Sequence, residues 1–158
     1  MRKPFIQTLT ELAGRDPSVV LLIGDVGFSF LEDFKNRFPE QFINVGIAEQ
    51  NMMGIASGLS QIGMKPYVYT MANFILLRPL EQLRNDICYS NANVKIFGVK
   101  GGASYAFLGY SHNLIEGEEK GMLAFLPNIT KHFPETEEET ERIMLEEYER
   151  NGPAYFSI

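Results

Sequence analysis

Val19-Val20-Leu21-Leu22-Ile23 is a continuous apolar, largely β-branched run. A strand with one face in water alternates apolar and polar residues. An unbroken run suits a strand covered on both faces, as in a parallel sheet. Gly24-Asp25 ends the run with turn-forming residues. Upstream, Phe5, Ile6, Leu9 and Leu12 recur at helical spacing across 4–14, with Gly14 as a stop. Downstream, Leu31–Arg37 reads as a short helix before Pro39, and Phe42–Val45 as a second short strand. Glu49–Ile62 is a helix rich in Gly, Ala, Ser and Met, which suggests close packing against something. Strand-like runs recur at 65–70, 94–99 and 154–158. Helical patterns lie between them at Phe74–Cys88, 116–125 and 135–149. Pro79 marks either a first turn or a kink in its helix. Thr136 followed by Glu139 has the spacing of a capping box. Strands alternating with helices imply an α/β fold, a mostly parallel sheet flanked by helices.

The 158 residues suit one domain, spanning 1–158, with ample apolar content for a core. A net charge of −6 argues against a nucleic-acid partner. No apolar run approaches the ~20 residues of a membrane span, and Met1-Arg2-Lys3-Pro4 lacks the apolar stretch of a signal peptide. The single Cys88 excludes an internal disulfide and fits a reducing compartment; it reads as a buried free thiol. The expected location is cytoplasmic. No metal-ligand spacing is visible, so no metal site is expected within the chain.

The residues that carry chemistry begin with Ile43-Asn44-Val45-Gly46-Ile47-Ala48-Glu49-Gln50-Asn51. One carboxylate, Glu49, stands in a neutral stretch where a strand turns into a small-residue helix. An isolated glutamate there is commonly just a favourable helix-start charge. Other segments lift it above that reading. They include Gly24-Asp25, Phe74, Arg78 with Glu81-Gln82-Leu83-Arg84-Asn85, Asn93–Ile96, and the loop Gly109-Tyr110-Ser111-His112-Asn113-Leu114-Ile115-Glu116. Leu126–Ile129 and Gly152-Pro153-Ala154-Tyr155 extend the set to the end of the chain.

In this order, these segments resemble the pyrimidine-binding domain of transketolase-family enzymes, and in particular the C-terminal subunit of split bacterial transketolases. The resemblance implies the thiamine diphosphate-binding (pyrimidine-type) fold and a two-carbon ketol transfer between sugars or sugar phosphates. It implies that Glu49 is the acid that hydrogen-bonds the cofactor's pyrimidine ring and promotes its activating tautomer, a general acid–base role relayed through the cofactor. It places Phe74 as the aromatic stacking on the pyrimidine, with Leu77 and Leu80 at the neighbouring pocket positions. His112 becomes the substrate-side histidine, able to bond a hydroxyl or shuttle a proton. His132 matches nothing catalytic and reads as structural or exposed. Lys100, after the 94–99 strand, reads as solvated, with a phosphate or an acid as the alternative partner.

Three departures qualify the resemblance. Leu108 stands where the family commonly has an aspartate, and Asn113 where it has a glutamine. Leu77 and Leu80 replace residues commonly aromatic in long-chain transketolases. A less hydroxylated acceptor suits Leu108 better. Finally, the Gly-Asp-Gly motif with a downstream Asn that holds Mg²⁺ on the diphosphate is missing; Gly24-Asp25-Val26-Gly27 lacks its spacing. The expectation is therefore a partner subunit or domain that binds the diphosphate through Mg²⁺, in a homodimer or heterotetramer. Two other readings stay open. One is a deoxyxylulose-phosphate synthase-like or 2-oxoacid dehydrogenase β-type component; the other is a catalytically silent assembly module.

Overall fold

Strands β1 (Val19–Ile23), β2 (Phe42–Asn44), β3 (Lys65–Met71), β4 (Lys95–Val99), β5 (Thr130–His132) and β6 (Ala154–Ser157) form one sheet. Their order is β2-β1-β3-β4-β6-β5 and every pairing is parallel. The coordinates are a computed structural model that describes residues 1–158, the side chain of Ser104 excepted. All five residues of β1 are buried, as the unbroken apolar run predicts. Val19, Leu21 and Ile23 point to one core, while Val20 and Leu22 point to the other.

The first core lies under helices α1 (Arg2–Arg15), α2 (Glu32–Arg37) and, later in the chain, Glu137–Glu149. They contribute Phe5, Leu9, Leu12, Phe34, Ile143 and Met144. Phe97 of β4 stacks on Phe156 of β6 at 4.4 Å between ring centroids. The second core lies under α3 (Glu49–Gln61), α4 (Ala72–Leu77), α5 (Leu80–Gln82) and α6 (Glu118–Ala124). The Glu137–Glu149 helix is α7. The sheet is thus sandwiched between two helical layers.

Several elements differ from the sequence expectation. The single helix expected over Phe74–Cys88 starts at Ala72 and is broken at Pro79; α5 then continues as a π-helical stretch, Leu83–Tyr89. Proline has no N–H to donate and its ring crowds the preceding turn, so the kink reading is the one adopted. The 3-10 helix Gly102–Ser111 and the three-residue edge strand β5 were not apparent from hydrophobic periodicity. β5 reads Thr-Lys-His, too short and too polar to show an alternation. In α3 the buried face is Glu49, Met52, Met53, Ala56 and Ser57, whereas Gly54 and Gly58 lie on the exposed face with no atom near. The close packing expected of this helix is made by its Met, Ala and Ser residues, and these two glycines take no part in it. The Thr136 cap is present: its hydroxyl accepts from the Glu139 N–H at 3.1 Å.

Cys88 is buried and unpaired, and burial pushes its thiol up to about 12. Such a thiol is inert at neutral pH. His132 is structural, its Nε2 lying 2.9 Å from Glu147. Glu147 is the hub of a polar cluster beneath β4, β5 and β6. It accepts from Thr130, His132, Arg150 and Lys95, whose ammonium is only 3% exposed. Lys95 also donates to the carbonyls of Arg150 and Gly152. Burial alone would raise the Glu147 carboxyl. The His132 hydrogen bond, the Lys95 charge and the bonds from Thr130 and Arg150 outweigh it and hold the group at about 2.

These contacts set the stability of the sheet's far edge. Removing Glu147 strands a buried ammonium, so Glu147→Ala should cost about 3–5 kcal/mol, measured by urea unfolding at pH 7. Because the folded carboxyl sits below its ordinary value, its contribution is present above pH ~4.3 and fades as pH falls toward 2. The wild-type and Glu147→Gln stabilities should therefore converge on acidification. At Gly98 an added methyl would overlap the Tyr155 ring and hydroxyl. Tyr155 is fully buried and bonded through its hydroxyl to Glu119 at 2.7 Å. Gly98→Ala should cost about 1–3 kcal/mol or more through overpacking, read as a lowered thermal midpoint.

Candidate active site

β1 lies between β2 and β3, so the chain leaves it in one direction and returns on the other side. Where strand order reverses in this way, the loops at the C-terminal strand ends part and leave a crevice. The loop after β1 and the helix after β3 form its walls. A cavity of about 300 Å³ lies there, lined by Asp25, Val26, Gly27, Tyr69, Phe74 and His112 among others.

The turn that delivers Glu49 is fixed by Asn44, the last residue of β2. Its side-chain oxygen accepts from the backbone N–H of Gly46 at 2.9 Å and of Asp25 at 3.2 Å. Its amide donates to the Asp25 carboxylate at 3.0 Å. One side chain thus ties the loop after β1 to the start of α3. Glu49, the first residue of that helix, is only 2% exposed. Gly24 admits it. A methyl at Gly24 would lie 3.3 Å from the Thr70 hydroxyl and 3.5 Å from Glu49 Oε1. The Thr70 hydroxyl is itself buried and has no hydrogen-bond partner among the described residues.

Arg78 closes the arrangement. Its Nη1 donates to Glu49 Oε1 at 2.8 Å, and its guanidinium carbon lies 3.7 Å from the centroid of the Phe74 ring. The charge-assisted bond compensates the buried carboxylate, while the planar cation covers the aromatic face. Phe74 in turn meets His112 edge-on, with ring centroids 5.0 Å apart. Glu49, Phe74 and His112 are therefore linked in one chain of contacts. Glu49 itself opens on a neighbouring recess beside Arg78 and not on the cavity that Phe74 and His112 share.

Leu77 and Leu80 are not brought together with these residues. Leu77 is 55% exposed and Leu80 packs against the second core. Neither lines the Phe74–His112 cavity. Sequence reasoning named Arg78 as part of a motif without a role. Its position four residues after Phe74, and thus on the same helical face, was the available signal.

The histidine loop is braced from within. Asn113 donates to the carbonyls of Tyr105 at 2.8 Å and Gly109 at 2.9 Å. Asn73 donates to the carbonyl of Ser111 at 2.6 Å. On its other side, His112 borders a second cavity of about 510 Å³ with Asn73, Lys100, Asn113, Glu116 and Lys120. Lys100 is thus an exposed residue at a cavity rim rather than one remote from the site. Phe107 and Tyr110 project outward, each 81% exposed. Among the described residues, no three His, Cys, Asp or Glu side chains are grouped to hold a metal ion.

Residues 1–158 match the family described as transketolase, pyrimidine binding domain. The chain belongs to that family. It is 45% identical over 113 residues to a subunit of the apulose-4-phosphate transketolase of Phocaeicola vulgatus, covering 71% of this chain and 36% of that protein. It is 33% identical over 156 residues to a putative transketolase C-terminal section of Methanocaldococcus jannaschii, covering 98% and 49%. A solved structure described as a split gene transketolase, inactive beta4 tetramer, superposes with a TM-score of 0.85 at 39% identity, covering 99% of this chain and 50% of that one. The chain thus spans half or less of the length of these relatives. Membership of the transketolase pyrimidine-binding family implies use of thiamine diphosphate. No helix is long and apolar enough to cross a membrane among the described residues.

The transketolase-type loop around His112 depends on Asn113 for two backbone bonds. Asn113→Ala should remove both bonds at about 1 kcal/mol each, leaving the Gly109 carbonyl only the His112 N–H at 3.3 Å. Amide hydrogen exchange across 105–112 should quicken by roughly tenfold or more, with the sheet unaffected.

Proposed function

We propose that this chain supplies the pyrimidine-binding side of a thiamine diphosphate-dependent transketolase that moves a two-carbon ketol unit between sugar or sugar-phosphate substrates. The observation that supports this best is the position of Arg78. A flat group with N–H donors already rests on the Phe74 ring while bonded to Glu49. These are the two contacts an aminopyrimidine ring requires, one aromatic face and one carboxyl group. The buried Thr70 hydroxyl, which has no partner among the described residues, adds a polar group on the same side of Gly24 as that carboxyl. The residues therefore fit the pyrimidine end of the cofactor, with Arg78 standing in for it.

Bound thiamine diphosphate supplies a nucleophilic carbon that can carry a two-carbon unit from a donor to an acceptor. Glu49, itself buried, would offer its carboxyl group to the pyrimidine nitrogen. Phe74 orients the ring by stacking. Arg78 must release both contacts, because it occupies the Phe74 face and the Glu49 carboxyl that the ring would take. His112, at the wall between the two cavities, bonds the substrate. Leu77, exposed, would serve the pocket only in contact with another chain, while Leu80 is committed to the second core. The diphosphate and its Mg²⁺ belong to a partner subunit or domain, in a homodimer or heterotetramer. Leu108 favours an acceptor with fewer hydroxyls, since its side chain offers none of the hydrogen bonding of an acid. Full activity with ordinary pentose and hexose phosphates would remove that last point. The intracellular, cytoplasmic setting is part of the same reading.

Mixing the chain with a candidate diphosphate-binding subunit, thiamine diphosphate and Mg²⁺ tests the assignment. Glu49→Gln should lower turnover by about 10²–10⁴-fold with assembly retained on a sizing column; unchanged turnover sinks the role of Glu49. Arg78→Ala should raise the affinity of the chain for thiamine about tenfold, or ~1.4 kcal/mol, by calorimetry. Weaker binding would make Arg78 a ligand-holding residue instead of a stand-in.

A further inference from the structure

We propose that Ser111 is a positioning residue that fixes His112 in the Nδ1–H tautomer, leaving the Nε2 lone pair as the group offered to substrate. The number of protons available decides the arrangement. Ser111 Oγ lies 2.8 Å from the carbonyl oxygen of Leu108 and 2.8 Å from His112 Nδ1. A hydroxyl has one proton to give. A carbonyl oxygen has none, so the Ser111 proton must point at Leu108. Were it turned toward His112, two oxygens would face each other at 2.8 Å with no hydrogen between them. Ser111 Oγ is then an acceptor toward the ring, and Nδ1 must carry the hydrogen. A neutral imidazole has only one N–H, so Nε2 is bare. Among the described residues, nothing else bonds Nε2.

The neighbouring contacts hold this relay in place. Asn73 grips the Ser111 carbonyl from α4 and Asn113 grips the carbonyls of Tyr105 and Gly109. The His112 ring lies parallel to Tyr105, with a 4° interplanar angle and centroids 6.0 Å apart, and meets Phe74 edge-on. Turning the ring over would face Ser111 with a carbon and forfeit the bond. The Leu108 position thereby acquires a role through its main chain, whatever its side chain does for specificity.

The chemical consequence rests on the proposed function. Neutral His112 can accept a hydrogen bond from a substrate hydroxyl and take its proton, but it cannot donate one to a carbonyl from Nε2. A hydroxyl-bearing substrate carbon is therefore matched to this side of the site, and the loop selects a base before any ligand arrives. The tautomer itself stands on the loop geometry alone, so it is tested without partner or cofactor.

The experiment is long-range ¹H–¹⁵N correlation on the ¹⁵N-histidine-labelled chain at pH about 9, well above the ordinary histidine range. The chain has two histidines, and loss of one set of signals in His112→Gln assigns His112. The wild-type ring should show the protonated nitrogen at Nδ1. Ser111→Ala should lose that signature and pass to Nε2–H, while Ser111→Thr, which keeps the hydroxyl, should retain it. An Nε2–H ring in the wild type overturns the proposal, as does an unchanged Nδ1–H ring in Ser111→Ala. Ketol-transfer activity in the reconstituted complex tests the proposed function separately, because the tautomer pattern does not depend on turnover.

Discussion

A strand covered on both faces has no place along its length for a polar side chain that must meet a ligand. β1 is such a strand, buried from Val19 to Ile23; β4 is buried throughout and β3, between them, nearly so. Burial of this kind is the dominant favourable term in the fold, and it pushes polar chemistry to the strand ends. The residues that matter obey that division. Asp25, Glu49, Phe74 and the His112 loop all follow the C-terminal end of a strand, and Asn44 is the last residue of β2. At the opposite end lies the Glu147–Lys95 cluster, which is fully engaged in internal bonds.

Within the site, one carboxylate sets the geometry of the rest. Glu49 could not remain buried and charged without a partner, and Arg78 supplies it. The same guanidinium then covers Phe74, and Phe74 abuts His112. Electrostatic need at one residue thus propagates through an aromatic ring to an imidazole on another loop. Arg78 thereby covers the Glu49 carboxylate and the Phe74 ring at once.

How much of this could be read from residues alone depended on how repetitive the signal was. The Val19–Ile23 run, the Glu49 junction and the Thr136 cap were legible because burial, turn chemistry and capping each leave a local pattern. The broken helix around Pro79 was legible only as a choice between two outcomes. β5 was hidden because three polar residues on a sheet edge carry no periodicity. Arg78 was visible as a letter in a motif, but its pairing with Glu49 joins residues 29 positions apart. No local pattern encodes that distance. Likewise Ser111 and His112 are adjacent in sequence, yet the proton count needed the Leu108 carbonyl beside them.

The buried Cys88 has a practical side. Its thiol is shielded and held protonated far above neutral pH, and it is the chain's one cysteine. To a maleimide or a nitroxide reagent the folded chain therefore behaves as cysteine-free. A cysteine placed on the outward rim, at Phe107 for instance, becomes a unique attachment point for a dye or spin label, with the natural sequence otherwise left intact.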